Sequence, residues 1–151
     1  SHQIEILKKN VGQENVKIIQ GAITDKKKIE ISWDEMTESV PTFSFREFLD
    51  EHKINKIDFL KCDCEGGEYD VFQQSNIEFL KTIPKIVTEF HLNNDSNYHE
   101  CKFRWFRDNI LTQFDNLQVF SVDGVDIKWD LWNEHFIEYY SEVIVYMDNR
   151  K

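Results

Sequence analysis

The sequence predicts an α/β fold in which helices pack on a sheet that has an antiparallel edge near the carboxyl terminus. Three observations predict it. Apolar runs with strand character alternate with segments of helical periodicity along most of the chain. Strand-like segments then follow one another near the end with no long helix between them. The 151 residues, of which 40% are hydrophobic, suffice for one domain with a buried core.

The amino-terminal third is predicted to contain a helix, two short strands and a second helix. Apolar residues at helical spacing, followed by a glycine, predict the first helix (Ile4, Leu7, Val11, Gly12). A run rich in valine and isoleucine predicts a strand over Val16–Ile19, and the alternating Ile29 and Ile31 predict another after a lysine-rich turn. Ser44 and Glu47 have the spacing of a capping box and predict the start of the second helix.

The remaining strands are predicted from apolar runs bounded by turn residues. Gly66-Gly67 ends the first of them, and Asp123-Gly124 joins the third and fourth by a hairpin or tight turn. The last run, rich in valine, isoleucine and tyrosine, closes the chain, and the strand pair at the end predicts an antiparallel edge of the sheet. These runs are Ile57–Cys64, Ile86–His91, Leu117–Val122, Val125–Trp129 and Glu142–Met147.

Two helical segments are predicted between these strands. The first follows Gly66-Gly67, with a break near Ser75-Asn76 and a set of candidate buried positions (Tyr69, Phe72, Phe79, Leu80). The second starts at Asp95 or Ser96 as its N-cap and carries an apolar, mainly aromatic stripe (Phe103, Phe106, Ile110, Phe114). Because such a stripe is typical of a core face, we do not interpret it as a cofactor site.

Charge and composition exclude several classes of function. The chain has 28 acidic against 18 basic side chains, a net charge of −10 that repels phosphate backbones, so nucleic acid is not an expected partner. No apolar run approaches the roughly 18 residues of a membrane span. The three cysteines are too few for a disulfide scaffold, and Cys62 and Cys64 miss the usual zinc spacing. We expect a reducing, cytoplasmic setting.

The first candidate site lies at the end of the strand over Ile57–Cys64. Ligands of open α/β sheets bind beyond the carboxyl ends of strands. Alternation along the strand places Lys61, Asp63 and Glu65 on one face and the two cysteines, as small buried side chains, on the other. The glycines that follow permit close approach of a ligand. The alternative is that these acidic groups only stabilise the amino terminus of the next helix.

The second candidate site is Glu89-Phe90-His91, at the end of the next strand. If the two strands are neighbours, Glu89 and His91 share a face and lie near Asp63 and Glu65. Such a cluster suits either general acid–base catalysis or binding of a divalent cation. The alternative is a solvated loop histidine with a salt-bridged glutamate.

The two segments together resemble the FkbM-like family of S-adenosylmethionine-dependent methyltransferases. In that family one strand reads approximately I-D-x-x-K-x-D-x-E-G-x-E, and the next ends near E-x-H. The matching positions are Lys61, Asp63, Glu65, Gly66, Glu68, Glu89 and His91. The resemblance is best over residues 15–92. It implies a Rossmann-like methyltransferase sheet and methyl transfer from S-adenosylmethionine, most naturally to an oxygen of a sugar or another small hydroxyl compound.

The resemblance also implies roles for individual residues. Asp63 is expected near the reactive end of the cofactor, and Glu65, Glu89 and His91 nearer the acceptor. His91 is our first candidate for the general base and Asp63 the second. The catalytic set is therefore Lys61, Asp63, Glu65, Glu89 and His91. The cofactor-binding set is Gly21, Ala22, Ile23, Asp63 and Gly66, and we assign no metal ligand.

The order of elements departs from the family at the beginning of the chain. The first strand, its glycine-rich cofactor loop and the second strand should precede the helix at Ile4, so we interpret residues 1–151 as a single, incomplete methyltransferase domain. Its unpaired strand edges would favour association of copies. We expect this chain alone to bind S-adenosylmethionine weakly or not at all. The alternatives are a non-catalytic α/β interaction module and metal-dependent hydrolysis by the acidic cluster.

Two interpretations are possible for the side chains of two tryptophans near the carboxyl terminus. Trp129 and Trp132 are expected to pack the antiparallel edge of the sheet, since tryptophans are mostly buried. The alternative is that their rings stack on a sugar acceptor.

Overall fold

The computed structural model describes residues 2–11, 15–27, 29–33, 36–92 and 97–150. The helices are α1 (His2–Asn10), α2 (Phe45–Glu51), α3 (Glu68–Val71), α4 (Ile77–Leu80), α5 (Asn97–Asn109) and α6 (Phe136–Tyr139). The strands are β1 (Ala22–Ile23), β2 (Ile29–Trp33), β3 (Met36–Val40), β4 (Thr42–Phe43), β5 (Phe59–Cys62), β6 (Lys85–His91), β7 (Leu117–Ser121) and β8 (Glu142–Asp148). Short 3₁₀ turns lie at Gln74–Asn76, Leu111–Gln113 and Lys128–Asp130.

The main sheet has four strands in the order β5-β6-β8-β7. β5 and β6 run parallel, with Cys62 opposite Thr88, whereas β8 is antiparallel to both of its neighbours. Because β8 lies between β6 and β7, the carboxyl end of β7 reaches the same edge of the sheet as the carboxyl ends of β5 and β6. The predicted α/β class is confirmed, and β7, which is antiparallel to β8, forms one edge of the sheet. The last strand, β8, lies inside the sheet and not at its edge. The predicted strand over Val125–Trp129 is wrong, because this segment makes a single bridge between Phe120 and Asp126 and then enters the 3₁₀ turn at Lys128.

Burial alternates along the strands and fixes which face of the sheet carries the core. In β6, Ile86, Thr88 and Phe90 are buried, whereas Lys85 is exposed and Glu89 is half-buried. The buried face meets the aromatic stripe of α5, where the rings of Phe90 and Phe106 lie 4.3 Å apart between centroids. The core side chains at 0–1% exposure in this layer include Phe72, Phe90, Phe103, Phe106, Ile110 and Phe136. The stripe is therefore a core face, as its spacing predicts.

The amino-terminal third differs most from expectation. The prediction of a strand over Val16–Ile19 is wrong, since this segment has no strand pairing and Val16 is half exposed. A high β propensity does not form a strand unless a second strand offers hydrogen bonds. The strand from Ile29 is confirmed, but it pairs with Met36–Val40, whose polar residues carry no alternating apolar pattern. The predicted glycine stop at Gly12 and the caps Asp95 and Ser96 lie outside the described residues.

The helices follow their local signals more closely. The capping box of α2 is confirmed, because the Glu47 amide donates to the Ser44 hydroxyl while the Ser44 amide donates to the Glu47 carboxylate. The second hydrogen bond lowers the pKa of Glu47. The predicted break near Ser75-Asn76 is confirmed as the 3₁₀ turn between α3 and α4. Phe114 is buried, but it follows α5 instead of belonging to it.

Candidate active site

The carboxyl ends of β5 and β6 bring three predicted site residues together. Asp63 directly follows β5, and Glu89 and His91 end β6, which is the parallel neighbour of β5. One ligand atom each from Asp63, Glu89 and His91 lies within 4.8 Å of the other two. The sequence-based expectation that the two strands are neighbours and gather these side chains at one sheet edge is confirmed.

Glu65 reaches the same edge by a turn instead of by strand alternation. β5 ends at Cys62, and Glu65 and Gly66 both adopt left-handed backbone angles, with φ of 50° and 97°. Glycine accepts such an angle without steric cost. The expectation that Glu65 continues the strand face is therefore wrong. The turn nevertheless places Glu65 Oε2 3.3 Å from His91 Nε2, although the Glu65 side chain is otherwise largely exposed.

Glu68, the first residue of α3, holds this turn and the imidazole at the same time. Its side chain is fully buried, and Oε1 accepts hydrogen bonds from the Cys64 amide (2.8 Å) and the Gly66 amide (3.2 Å). The same oxygen lies 3.1 Å from His91 Nδ1. The sequence comparison places Glu68 in the motif but assigns it no role. A glutamate directly after the glycine pair was the signal that could have identified it.

His91 is oriented by contacts on both ring nitrogens. The residue is 5% exposed, its carbonyl oxygen accepts the Tyr69 hydroxyl at 3.0 Å, and its Nδ1 faces the buried Glu68 carboxylate. Assigned from this contact, the proton of the neutral imidazole lies on Nδ1, which donates to Glu68. Nε2 then carries the lone pair, and its 3.3 Å contact with the Glu65 carboxylate becomes a hydrogen bond when the imidazole or Glu65 takes up a proton. A carboxylate that fixes the tautomer of a histidine in this way is typical of general-base and metal-ligand histidines.

Charge around the cluster is unevenly balanced. Lys61 Nζ donates to Asp63 Oδ2 at 2.8 Å, and this hydrogen bond raises the pKa of Lys61. Among the described residues, no ammonium or guanidinium group donates a hydrogen bond to Glu89. Partial burial, followed by the negative charge of Asp63, raises the pKa of Glu89. The site therefore combines one oriented imidazole with carboxylates that repel one another.

One of the predicted cofactor-side residues, Ile23, lies against the same turn. The Ala22 amide donates to the Pro41 carbonyl at 2.8 Å, which holds β1 beside β4. A Cβ built on Gly21 would lie 2.8 Å from the Phe43 ring, so only glycine fits there. A Cβ built on Gly67 would lie 3.9 Å from the Ile23 carbonyl oxygen. The structure thus brings the Ile23 carbonyl next to the turn at Gly66-Gly67, whereas Gly21 and Ala22 lie against Pro41 and Phe43.

Comparison with known protein families identifies the chain. The sequence model of the methyltransferase FkbM domain matches residues 5–149. The chain belongs to the FkbM methyltransferase family. No curated protein and no solved structure matches the sequence of this FkbM domain.

The two cysteines of β5 and the following turn form a close thiol pair in the FkbM domain. Cys62 is buried, as predicted, whereas the prediction that Cys64 is buried is wrong. Their sulfur atoms lie 3.7 Å apart because β5 ends between them and the chain turns. The hydrogen bond from the Cys62 thiol lowers the pKa of Cys64 to about 7, and the same bond, with burial, raises that of Cys62.

This asymmetry predicts selective alkylation. Reaction of Cys64 with iodoacetamide should rise through a midpoint near pH 7, because the thiolate is the reactive form, while buried Cys62 stays unmodified. Peptide mass spectrometry over a pH series measures both. The Cys62→Ala variant removes the donor and should move the midpoint upward. A midpoint for Cys64 that does not change in this variant would contradict the assigned hydrogen bond.

The two tryptophans near the carboxyl terminus of the FkbM domain are exposed. The expectation that the tryptophans pack the sheet edge is wrong, since Trp129 is 78% exposed and Trp132 is 51% exposed. Both rings line a shallow cleft with Asp126 and Lys128, and the Arg107 guanidinium lies 5.5 Å from the Trp132 ring centroid.

None of the helices in the described part of the chain has the length and apolar character that crossing a membrane requires.

Proposed function

We propose that this FkbM domain transfers a methyl group from S-adenosylmethionine to an oxygen of a small hydroxyl compound, with the sheet edge at Asp63 and His91 as its active site. One observation carries the proposal: an imidazole held by a buried glutamate lies beside Asp63 at the carboxyl ends of two parallel strands. The parallel pair β5-β6 followed by the inserted antiparallel β8 supports a Rossmann-like methyltransferase sheet.

We expect the methyl donor to bind on one side of this sheet edge, at Gly21, Ala22, Ile23 and Gly66. When bound, S-adenosylmethionine supplies an electrophilic methyl group. Gly21, Ala22 and Ile23 would hold the cofactor beside the turn at Gly66, where the absence of side chains lets a ligand approach the backbone. Asp63 would lie between this segment and His91. Cys62 and Cys64 are free thiols, which supports a reducing, cytoplasmic location.

The chain's own residues can prepare the acceptor. His91 Nε2 takes the proton of the acceptor hydroxyl, and Glu68 stabilises the resulting positive charge through Nδ1. Glu65 and Glu89 lie close enough to accept hydrogen bonds from other hydroxyl groups of the acceptor. Holding the attacking oxygen in line with the methyl group is the main contribution expected from this arrangement.

A sugar or a similar polyhydroxyl compound is the acceptor class that the surroundings support. Several carboxylates at one edge can bind several hydroxyl groups. Ser121 ends β7 at the same edge as His91, because β8 pairs Val143 with both Phe90 and Ser121. The exposed Trp129 and Trp132 do not add a stacking face at this edge, because the chain folds back along β7 after Ser121, with the Ile127 amide donating to the Val119 carbonyl. Lys128, next to Trp129, lines a groove with Lys85 at the opposite end of the sheet.

Binding of the methyl donor tests the proposal. Titration of the 151-residue chain with S-adenosylmethionine and with its demethylated product should raise the melting temperature, with an affinity weaker than low micromolar. The Asp63→Asn variant should reduce the shift, and the exposed Asp58→Asn should not. Absence of any shift at millimolar ligand, with the chain folded, would contradict donor binding by this chain.

A second candidate function is association with another copy as a non-catalytic module. Within the described part of the chain, no strand pairs with the free edge of β5. The outer face of the sheet exposes Phe59 (56%) and Tyr146 (40%), which line a groove of about 1060 Å³. Unpaired edges and apolar faces of this kind favour association. Concentration-dependent dimerisation in sedimentation experiments, without donor binding, would favour this function over methyl transfer.

A further inference from the structure

The ligand atoms of Asp63, Glu89 and His91 have the spacing of a cation site. Bonds of about 2.1 Å in an octahedral site put neighbouring ligand atoms about 3 Å apart and opposite ones about 4.2 Å apart. The three atoms already lie within 4.8 Å of one another, so small side-chain rotations suffice to close them on one ion. We propose that these residues bind a divalent first-row cation such as Mn²⁺, which accepts both carboxylate oxygen and imidazole nitrogen.

The surroundings of His91 provide a second, independent argument. A metal-binding histidine almost always donates its other ring N–H to a carboxylate, a backbone carbonyl or water, which fixes the tautomer. Glu68 supplies that carboxylate to Nδ1 from a fully buried position. The second oxygen of Glu68, Oε2, is buried without a hydrogen-bonding partner among the described residues. Because Glu68 contacts Nδ1, this oxygen lies across the ring from Nε2, so Glu68 orients His91 and is not itself a ligand of the proposed ion.

Electrostatics favour a cation at the same place. The acidic groups around the imidazole outnumber the single nearby ammonium of Lys61; they are Asp63, Glu65, Glu68, Glu89 and Glu142. A divalent ion between Asp63 and Glu89 would replace their mutual repulsion with two attractions. Lys61 competes for Asp63, since its ammonium lies 2.8 Å from Oδ2. Removal of the Lys61 charge should therefore tighten cation binding.

A bound cation would also define the acceptor more narrowly, a consequence that rests on the proposed methyl transfer. Three protein ligands leave positions open for two neighbouring oxygens of one acceptor, as in a vicinal diol or a hydroxy acid. His91 Nε2 would then be a ligand and could not accept a proton. Glu65, which lies 3.3 Å from Nε2, would take the hydroxyl proton instead. The acceptor oxygen would form its bond to the methyl carbon while the carbon–sulfur bond of the donor breaks.

Titration with Mn²⁺ alone tests the site without donor or acceptor. The electron paramagnetic resonance signal of free Mn²⁺ should fall as the 151-residue chain binds one ion. Glu89→Gln and Asp63→Asn should weaken binding by at least about tenfold, and Glu68→Gln by about 10- to 100-fold. Lys61→Met should strengthen it. Mn²⁺ should broaden the NMR signals of His91 before those of the exposed His135.

The matched control is Glu138→Gln, which removes the carboxylate from another histidine pair, His135 with Glu138 at 2.9 Å. Among the described residues, this pair belongs to no group of three ligands. The control should leave Mn²⁺ affinity unchanged. Absence of binding up to about 1 mM, or binding that survives Glu89→Gln in a folded variant, would overturn the proposal. Glu89 is only half-buried, so this variant should fold even if Asp63→Asn does not. Binding of S-adenosylmethionine measured with a metal chelator present tests the proposed function independently of the cation site.

Discussion

The His91→Asn variant is expected to lower kcat for methyl transfer by about 10²- to 10⁴-fold, the usual contribution of a positioned acid–base group. Asparagine retains an N–H that can donate to Glu68 in place of Nδ1 but offers no counterpart of Nε2. The loss follows whether Nε2 accepts the proton or binds a cation. Transfer of a labelled methyl group to a polyhydroxyl acceptor measures it.

The control for this substitution is His135→Asn. His135 also faces a carboxylate, Glu138, at 2.9 Å, but it is exposed and lies on a different segment of the chain. The raised pKa of His135, caused by the hydrogen bond that it donates to Glu138, is a surface effect that should not influence catalysis. Equal rates for the wild-type and His91→Asn proteins, with unchanged folding, would exclude the His91 imidazole from the reaction.

The Phe90→Ala variant is expected to lower the free energy of unfolding by about 3–5 kcal/mol, the usual cost of deleting a buried phenylalanine ring. Phe90 is fully buried, and its ring contacts Phe106 at 4.3 Å and both Tyr69 and Phe72 at 5.5 Å between centroids. Urea denaturation measures the change. Because Phe90 lies between Glu89 and His91, the cavity should also loosen the site.

The comparison variant for the core is Trp129→Ala. Trp129 is larger than Phe90 but 78% exposed, so its removal should change stability by no more than about 0.5 kcal/mol. If Phe90→Ala lowered the free energy of unfolding by no more than Trp129→Ala does, the sheet and α5 would not form one packed core.

The elements that carry the site could be predicted because their signals are local. Alternation and flanking turns identify β5 and β6, and their parallel pairing brings Asp63 to Glu89 and His91 without further information. The capping box of α2 needs only two side chains three residues apart. In each of these cases short-range chemistry and tertiary structure favour the same conformation.

Other features could not be predicted because they depend on distant residues. Val16–Ile19 has strand propensity but lacks a strand to pair with, whereas polar Met36–Val40 forms a strand because β2 lies beside it. The role of Glu68 depends on the turn at Gly66, which brings two amides and an imidazole to one oxygen. The exposure of Trp129 follows from a turn of the chain after β7 that composition does not reveal.

Residue-resolved binding of the methyl donor is the most direct test of the account. In an NMR titration of the ¹⁵N-labelled chain with S-adenosylmethionine, we expect weak binding whose amide shifts concentrate at Gly21–Ile23 and at Asp63–Gly66, the two segments that meet at the sheet edge. Shifts confined to the exposed outer face around Phe59 and Tyr146 would contradict a methyltransferase active site at this edge.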